Sequence, residues 1–319
     1  MKKILILIVA LALAAAFIPA MAESTHLAIA YQYGLAYAPL VVAQTESFIE
    51  KAYEEKTGGE LALEWVQMSS GADINTGIIS GSIDVGFMGV GPAITGISKG
   101  VGYRIFSNLS GQEHGLMTND PSIASYDDII GSDRQIALVN IGSIQHIILA
   151  KSLADNGYDA HALDANLVAM KHPDGMSALL TGSLPLHLTT SPYIYRERAT
   201  EGLAEIEVLK EAWPKENSFI VGVAAESLFE GDRDLYDALC EGIAAAIDYV
   251  NNNTEATAEL TSQYDGNSVE DEIAYLQMGN YSTATGGVAE MARFMYEHAF
   301  IEADPGEYSN LVFENVEGN

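Results

Sequence analysis

Small and polar residues follow five of the predicted strands, and their types suit the binding of a small solute. In the first half of the chain these turns are Tyr33-Gly34, Ser69-Ser70-Gly71 and Gly89-Val90-Gly91. In the second half they are Gly142-Ser143-Ile144 and Thr189-Thr190-Ser191. Most of them lead directly into a predicted helix, whose N-terminus carries unpaired N–H groups and a partial positive charge. Two such sets facing each other predict a cleft lined with hydrogen-bond donors.

One stretch of sequence occurs twice along the chain. Residues 78–83 read IISGSI and residues 179–184 read LLTGSL, and upstream Met68 corresponds to Met170. The separation is longer than the roughly 50-residue units of solenoid proteins, so the repeat predicts two similar lobes. Ordinary helix capping accounts for any one turn taken singly. The recurrence of the turns in both copies favours a binding site.

The candidate ligand-binding residues come from these turns and from one strand that ends at the cleft. They are Tyr33, Gly34, Ser69, Ser70, Gly71, Gly89, Val90, Gly91, Gly142, Ser143, Ile144, His187, Thr190 and Ser191. His187 is the member of this set that lies within a strand, where a packed or hinge histidine is the commoner situation.

The histidines raise the question of a metal site. Five of the seven fall in the predicted second lobe, at positions 114, 146, 161, 172 and 187. No two of them are four residues apart on a helix, and no cysteine or carboxylate cluster accompanies them. We therefore predict neither a metal nor a cofactor.

An enzyme on the same fold is the rival interpretation. The single cysteine, Cys240, lies on the apolar stripe of a predicted helix, which is typical of a buried structural thiol. The chain has no phosphate-binding loop ending in Gly-Lys-Ser/Thr. A non-catalytic binding protein is the prediction, with a ligand sensor as a further alternative.

Strands alternate with helices along most of the chain, which predicts α/β architecture with mostly parallel sheets. Ligands of such sheets bind outside the carboxyl ends of the strands, where the polar turns lie. The order of elements restarts after Gly111, and the segment from Phe219 leads back. We predict lobe 1 over residues 23–112 plus 217–319 and lobe 2 over residues 113–216.

The N-terminus has the pattern of a secretory signal peptide over residues 1–22. Lys2 and Lys3 precede the apolar run Ile4–Phe17, and Ala20-Met21-Ala22 is a small-x-small cleavage site. The residue directly after the cut is Glu23 rather than a cysteine, so we do not predict a lipoprotein. The formal net charge of −29 argues against nucleic acid and anionic membranes as partners.

Three blocks of sequence, in order, resemble one family of transport proteins. They are YQYGLAYAPLVVAQTESFIE, SSGADINTGIISGSIDVGFMGVGPAI and IALVNIGSIQHIILAKSLADNGYD. The chain resembles the solute-binding proteins of ABC importers of the nitrate/sulfonate/taurine/bicarbonate type, a family that also includes thiamine-precursor binders. The block from Ser69 to Pro92 is the most specific part of this resemblance.

The resemblance implies a two-lobed type II periplasmic-binding fold that closes on a small molecule in an interlobe cleft. It implies an extracytoplasmic, monomeric protein that delivers its ligand to an ABC permease with its ATPase. A sulfonate-like or other small oxyanion is the favoured ligand, and a heteroaromatic solute such as a thiamine pyrimidine precursor is the alternative. None of the predicted cleft turns contains Lys or Arg. An anion is therefore expected to rely on backbone amides, hydroxyls and a histidine.

Overall fold

The computed structural model describes residues 25–206, 209 and 211–319. The predicted signal peptide, residues 1–22, lies outside the described residues. So do residues 207, 208 and 210, which are part of the predicted strand over residues 205–209 or follow it.

The described residues form ten strands. In chain order they are β1 (Thr25–Tyr31), β2 (Leu61–Gln67), β3 (Val85–Gly89), β4 (Tyr103–Ser110), β5 (His114–Thr118), β6 (Ile136–Leu138), β7 (Leu167–Ala169), β8 (Leu186–Thr190), β9 (Ala204–Ile206) and β10 (Ile220–Ala225).

The same residues form twelve α-helices and four short 3-10 helices. The α-helices are α1 (Ala38–Glu46), α2 (Phe48–Thr57), α3 (Gly71–Ser80), α4 (Val90–Ser98), α5 (Ile144–Asp155), α6 (His172–Thr181), α7 (Tyr193–Arg198), α8 (Glu226–Gly231), α9 (Arg233–Asn252), α10 (Thr254–Asp265), α11 (Val269–Met278) and α12 (Val288–Glu297). The 3-10 helices are Leu35–Tyr37, Tyr126–Asp128, Asp164–Asn166 and Tyr308–Asn310.

The strands form two five-stranded sheets with the same topology. The first has the order β2-β1-β3-β10-β4, and the second has the order β7-β6-β8-β5-β9. In each sheet four strands run the same way, and one, β10 or β5, is antiparallel to both of its neighbours. The mostly parallel, two-lobed α/β fold predicted from the sequence is confirmed. We call the parts built on these sheets lobe 1 and lobe 2; the boundaries given above stay a prediction.

The antiparallel strand in each sheet directly follows a crossing between the lobes. Strand β5 follows the crossing into lobe 2, and β10 follows the crossing back into lobe 1. The two crossing segments lie side by side, and the N–H of Phe219 donates to the carbonyl of Ser110. A Cβ on Gly111 would lie 1.9 Å from the backbone oxygen of Lys215. Only glycine allows this approach without a shift of backbone, so Gly111 keeps the two crossings together.

The sequence repeat corresponds to one structural unit, a helix end followed by a turn into a strand. Gly81 and Gly182 end α3 and α6 in the left-handed region, at φ 74° and 73°. The carbonyls of Gly77 and Ala178 each accept the two N–H groups that follow the turn. Because glycine enters this region without steric cost, both copies of the motif fold alike.

Local departures from the prediction occur at two helix starts. The predicted single helix after Pro39 is two helices, because Ser47 adopts φ 53° and ends α1. The strand predicted over Phe219–Phe229 ends at Ala225, and Glu226 begins α8. No helix of the described residues is both long enough and apolar enough to cross a membrane.

Helix α9 is the longest and covers α1 and α2 of lobe 1. Its buried face includes Leu239, Ile243 and Ile247 at helical spacing. Gly242 lies against the backbone of Ile49, so this contact places the two helix axes close together.

Replacing Gly242 with alanine is expected to lower the free energy of unfolding. A Cβ there would lie 2.6 Å from Cα of Ile49, and such overpacking costs about 1–3 kcal/mol. Gly231→Ala is the matched control, because no atom lies within 4 Å of its Cβ position. Urea unfolding of both variants measures the difference, and equal midpoints would contradict this account.

Candidate functional site

A cavity of about 470 Å³ lies where the two sheets face each other. All six parallel strand ends that lead into helices contribute to its wall. From lobe 1 these are Tyr33 after β1, Ser69 after β2 and Gly89 at the end of β3. From lobe 2 the corresponding strands β6, β7 and β8 contribute Asn140, Lys171 and Thr190. This is the edge at which α/β sheets bind ligands.

Helix starts from both lobes point their first residues at the cavity. Ser143 caps α5 and accepts the N–H of His146 at 3.3 Å, while Gly71 and His172 are the first residues of α3 and α6. All three line the cavity. The first N–H groups of a helix have no partner within it, and they favour negative charge. The cavity wall therefore offers backbone donors from both sides.

Eight of the fourteen residues proposed from the sequence line this cavity. They are Tyr33, Ser69, Gly71, Gly89, Ser143, Ile144, Thr190 and Ser191. Thr190 also donates to the carbonyl of Glu113 at 2.9 Å, which ties the end of β8 to the first crossing. Whether these residues contact a ligand stays a prediction.

The other six of the fourteen lie outside the cavity wall. Ser70 caps α3, accepting the N–H of Asp73, and Val90 is fully buried. Gly34 adopts φ 105° before the 3-10 helix Leu35–Tyr37. Gly91 packs on Ile147. These residues shape the turns that carry the cavity residues.

Gly142 and His187 complete this group of six. The N–H of Gly142 donates to Nδ1 of His146 at 3.0 Å, and Gly142 faces a second, smaller cavity of about 240 Å³. His187 is fully buried beneath α6 and α7, and Nδ1 lies 2.6 Å from Oε1 of Glu197. This is the packed position that the sequence analysis gave as the commoner one for a strand histidine, since strand alternation turns its ring toward the covering helices.

The analysis of turns missed two cationic side chains that line the cavity. Lys171 lies two residues after the end of β7, at the N-cap position of α6, and Arg196 lies on α7. The expectation that the cleft lacks Lys and Arg is corrected by these two residues. The repeat contained the signal for Lys171: with Met170 aligned to Met68, Lys171 takes the position of Ser69. Arg196 gave no such signal, because it lies within a helix rather than at a strand end.

Further cavity residues also escaped the sequence reasoning. They are Gln32, Ala36, Tyr37, Pro92, Val139, Asn140, Gln145, His172, Pro173, Tyr193, Phe219, Ile220 and Tyr264. Several stand one or two positions from a predicted turn, and the rest come from helices and from the second crossing.

The cavity differs in charge from the rest of the molecule. Among the described residues that line it there are two cations and no carboxylate, whereas the whole chain has a formal charge of −29. A positive site with low-dielectric walls concentrates anions from solution. The electrostatics of the cavity therefore favour a negatively charged ligand.

Aromatic rings form much of the remaining wall. The Nζ of Lys171 in lobe 2 lies 5.8 Å from the ring centre of Tyr33 in lobe 1. The rings of His172 and Tyr193 are stacked, with centroids 5.6 Å apart. Such faces suit a flat or apolar part of a ligand.

The two lobes touch directly at the floor of the cavity. A Cβ on Gly89 would lie 2.7 Å from Cγ2 of Ile144, and one on Gly91 would lie 2.4 Å from Cδ1 of Ile147. The absence of side chains at these two glycines lets the start of α4 meet the face of α5. This contact separates the main cavity from the smaller one.

Two of the other histidines share one carboxylate partner, and the cysteine is buried. His146 and His161 both contact Asp164, at 3.0 Å and 2.8 Å. The described residues include no group of three or more His, Cys, Asp or Glu side chains that suits a metal ion. Burial raises the pKa of the Cys240 thiol to about 11, so the thiolate is scarce at neutral pH.

Enlarging Gly91 is expected to hold the lobes apart. In Gly91→Leu the new side chain would occupy the place of Ile147 Cδ1, so the radius of gyration measured by small-angle X-ray scattering should increase. Adding Ile147→Ala removes the clashing atoms and should restore the original radius. An unchanged radius in the single variant would contradict the proposed role of this contact.

A search against protein-family models matches residues 20–263 to the NMT1-like family. No curated protein matches the chain.

Solved structures give the same fold with low sequence identity. The alkanesulfonate-binding protein SsuA from Xanthomonas axonopodis pv. citri, bound to MOPS, has a TM-score of 0.73 and 15% identity, over 89% of this chain and 96% of that one. The periplasmic aliphatic sulphonate-binding protein SsuA from Escherichia coli has a TM-score of 0.69 and 18% identity, over 92% and 94%. The periplasmic nitrate-binding protein NrtA from Synechocystis PCC 6803 has a TM-score of 0.70 and 13% identity, over 90% and 84%.

Proposed function

The chain belongs to the NMT1-like family, and we propose that it is an extracytoplasmic solute-binding protein that captures a small organic anion between its lobes. The observation that carries this proposal is the charge of the cavity. Lys171, Arg196 and helix starts from both lobes converge there, without a carboxylate among the described lining residues, in a strongly acidic chain. Solved proteins of the same fold bind sulfonates and nitrate.

The size of the cavity favours an organic anion over an inorganic one. A four-atom oxyanion such as nitrate takes up about the space of one or two waters, each roughly 30 Å³. The cavity of about 470 Å³ is many times larger, and it lies in the range of sites for organic ligands. Tyr33, Tyr193 and Phe219 would pack on the apolar part of such a ligand. A sulfonate with a carbon body therefore fits better than nitrate or bicarbonate.

Capture would work through closure of the lobes. A ligand that contacts residues of both lobes stabilises the closed arrangement, in which the lobes are near each other. The contacting residues would be Ser69 and Gly71 from lobe 1 and Ser143 and Lys171 from lobe 2. A ligand shifts such an equilibrium only through its difference in affinity for the two states. The paired crossings provide the hinge. The lobe boundaries that follow are residues 23–112 plus 217–319 and residues 113–216.

Delivery and location follow from the same proposal. Cleavage of a signal peptide over residues 1–22 would leave the mature chain outside the cytoplasm. There it would act as a monomer without a lipid anchor. Its partner would be an ABC permease with its ATPase, which recognises the surface of the closed form.

A neutral heteroaromatic solute is the second candidate ligand. The stacked rings of His172 and Tyr193 and the ring of Tyr33 favour it. The two cations favour the anion, since an anionic group can form charge-assisted hydrogen bonds with them and a neutral ligand cannot. The single thiol does not serve as a nucleophile at the cavity, because Cys240 lies on α9 and burial raises its pKa.

Removing either cavity cation is expected to weaken anion binding. We expect Lys171→Met and Arg196→Met each to reduce the affinity for benzenesulfonate or MOPS by about tenfold or more, because a hydrogen bond to a charged group contributes about 1.5–3 kcal/mol. Arg104→Met is the charge-matched control, since Arg104 pairs with Glu226 away from the cavity. Isothermal titration of protein refolded without ligand measures the affinities.

The outcomes separate the candidate functions. Binding of sulfonates with a larger thermal shift than nitrate, and without turnover of the ligand, supports the proposal. Ligand at about 100 times its Kd should add about 2.7 kcal/mol to the stability. Equal losses of affinity in Arg104→Met and Lys171→Met would show that the cavity cations do not bind the ligand. A thermal shift only with heterocycles would favour the second ligand class.

A further inference from the structure

A continuous line of hydrogen-bonding side chains runs from the cavity into the interior of lobe 2. Nε2 of Gln145 lies 2.7 Å from Nε2 of His172, and Nδ1 of His172 lies 3.2 Å from Nε2 of His187. Nδ1 of His187 lies 2.6 Å from Oε1 of Glu197. Gln145 and His172 line the cavity, and Glu197 is fully buried. We call these four residues the histidine relay.

Three helices and one strand hold the relay in place. Gln145 lies in the first turn of α5, His172 starts α6 and Glu197 lies on α7, while His187 is on β8 beneath them. A Cβ on Gly175 would lie 2.6 Å from Nε2 of His187, so only glycine at this position of α6 leaves space for the ring. The relay is therefore a packed part of the lobe rather than a set of mobile surface groups.

Burial keeps the relay without net charge near neutral pH. It lowers the pKa of His187 to about 3 and, together with the neighbouring His187, lowers the pKa of His172 to about 3. Burial raises the pKa of Glu197 to about 8, against a smaller opposing effect of the Thr189 hydroxyl. The acid and both imidazoles are then neutral at pH 7.

The charged groups around Glu197 have partners of their own. Arg198 on the same helix pairs with Glu113 and Glu205, and Arg196 donates to Asn267 of lobe 1. His114 on β5 is buried, which lowers its pKa to about 3, so it adds no charge near neutral pH.

The relay has two possible directions. A neutral imidazole donates from one nitrogen and accepts at the other, so the state of Glu197 passes from ring to ring. When Glu197 is protonated, its O–H donates to His187 Nδ1, and each ring in turn donates from Nε2. The Nε2–H of His172 then needs an acceptor, and the side-chain oxygen of Gln145 provides it. The structure places Nε2 of Gln145 against His172, which is the arrangement that goes with ionised Glu197. A half-turn of the amide exchanges its oxygen and nitrogen at nearly the same positions, so the state of Glu197 decides which one faces His172.

We propose that Glu197 is a positioning residue that acts through His187 and His172 to turn the NH₂ group of Gln145 toward the cavity, and thereby selects ligands that present a hydrogen-bond acceptor there. This inference rests on the proposed function and deepens it. Ionisation of Glu197 reverses every hydrogen bond of the relay, and the Gln145 oxygen then faces the cavity. An anionic ligand gains a donor in the first state and meets an acceptor in the second.

The sign of the pH dependence follows from these two states. The protonated form of Glu197 is the one that favours the anion. Affinity should be fully present at pH values below the raised pKa of Glu197, about 8, and should fall as the pH rises through it. Bound anion should in turn raise this pKa further, by linkage.

Nitrogen NMR of the histidine rings tests the relay in the ligand-free protein. At about pH 6.5 we expect both His172 and His187 to carry the proton on Nε2, and at about pH 9.5 on Nδ1. His172→Gln and His187→Gln identify the signals. In Glu197→Gln, which cannot ionise, the pattern should not change with pH. A proton on Nδ1 of either ring at the lower pH, or a wild-type pattern that is the same at both, would overturn the proposal.

Titration with benzenesulfonate at the same two pH values tests the consequence for binding. We expect about tenfold weaker binding at the higher pH for the wild type, and a much smaller change for Glu197→Gln. Glu226→Gln, a surface acid paired with Arg104, is the control and should follow the wild type. Equal pH dependence in wild type and Glu197→Gln would overturn the role of Glu197.

The two proposals fail in different ways. If benzenesulfonate binds at neither pH, the anion-binding function fails, whereas the ring tautomers still decide whether Glu197 directs the relay. If it binds equally at both pH values while the tautomers switch, the relay exists but does not select the ligand, and the inference is overturned.

Discussion

The contact of α4 with α5 sets the geometry on which the cavity depends. Gly89 and Gly91 carry no side chain where Ile144 and Ile147 of the other lobe approach, so the two helix starts meet within van der Waals distance. Any larger residue would separate the lobes by the thickness of its side chain. Polar groups at the strand ends of both lobes can then reach one small solute, which neither lobe would enclose alone.

The charges around the cavity add a preference for negatively charged ligands to this geometry. The chain is strongly acidic, yet cations and helix N-termini converge at the cavity without a carboxylate among the described lining residues. Lys171 illustrates how the fold achieves this, because it lies at the N-cap position of α6 and reaches across to the ring of Tyr33. The same side chain therefore serves the wall of the cavity and the contact between lobes.

Much of this arrangement was accessible from residue patterns. The repeat at Gly81 and Gly182 predicted two similar lobes, because a left-handed helix end favours glycine and the same turn must follow it. The turns at Ser69, Gly89 and Ser143 were placed at the cavity, since they follow parallel strands. The structure differs from the predicted site within the turns themselves. Ser70 caps α3 and Val90 packs in the core, although their neighbours line the cavity.

The sequence by itself determined the α/β class, the duplicated lobes and the edge of the sheets at which polar residues gather, because these follow from local periodicity and from the glycines of the turns. The tertiary structure alone decided which side chains meet across the lobes. Arg196 and Gln145 reach the cavity from helix faces, and His187 turns away from it to join Glu197. Such choices depend on the register of β8 and on how α6 and α7 pack over it, and those are contacts between residues distant in the chain.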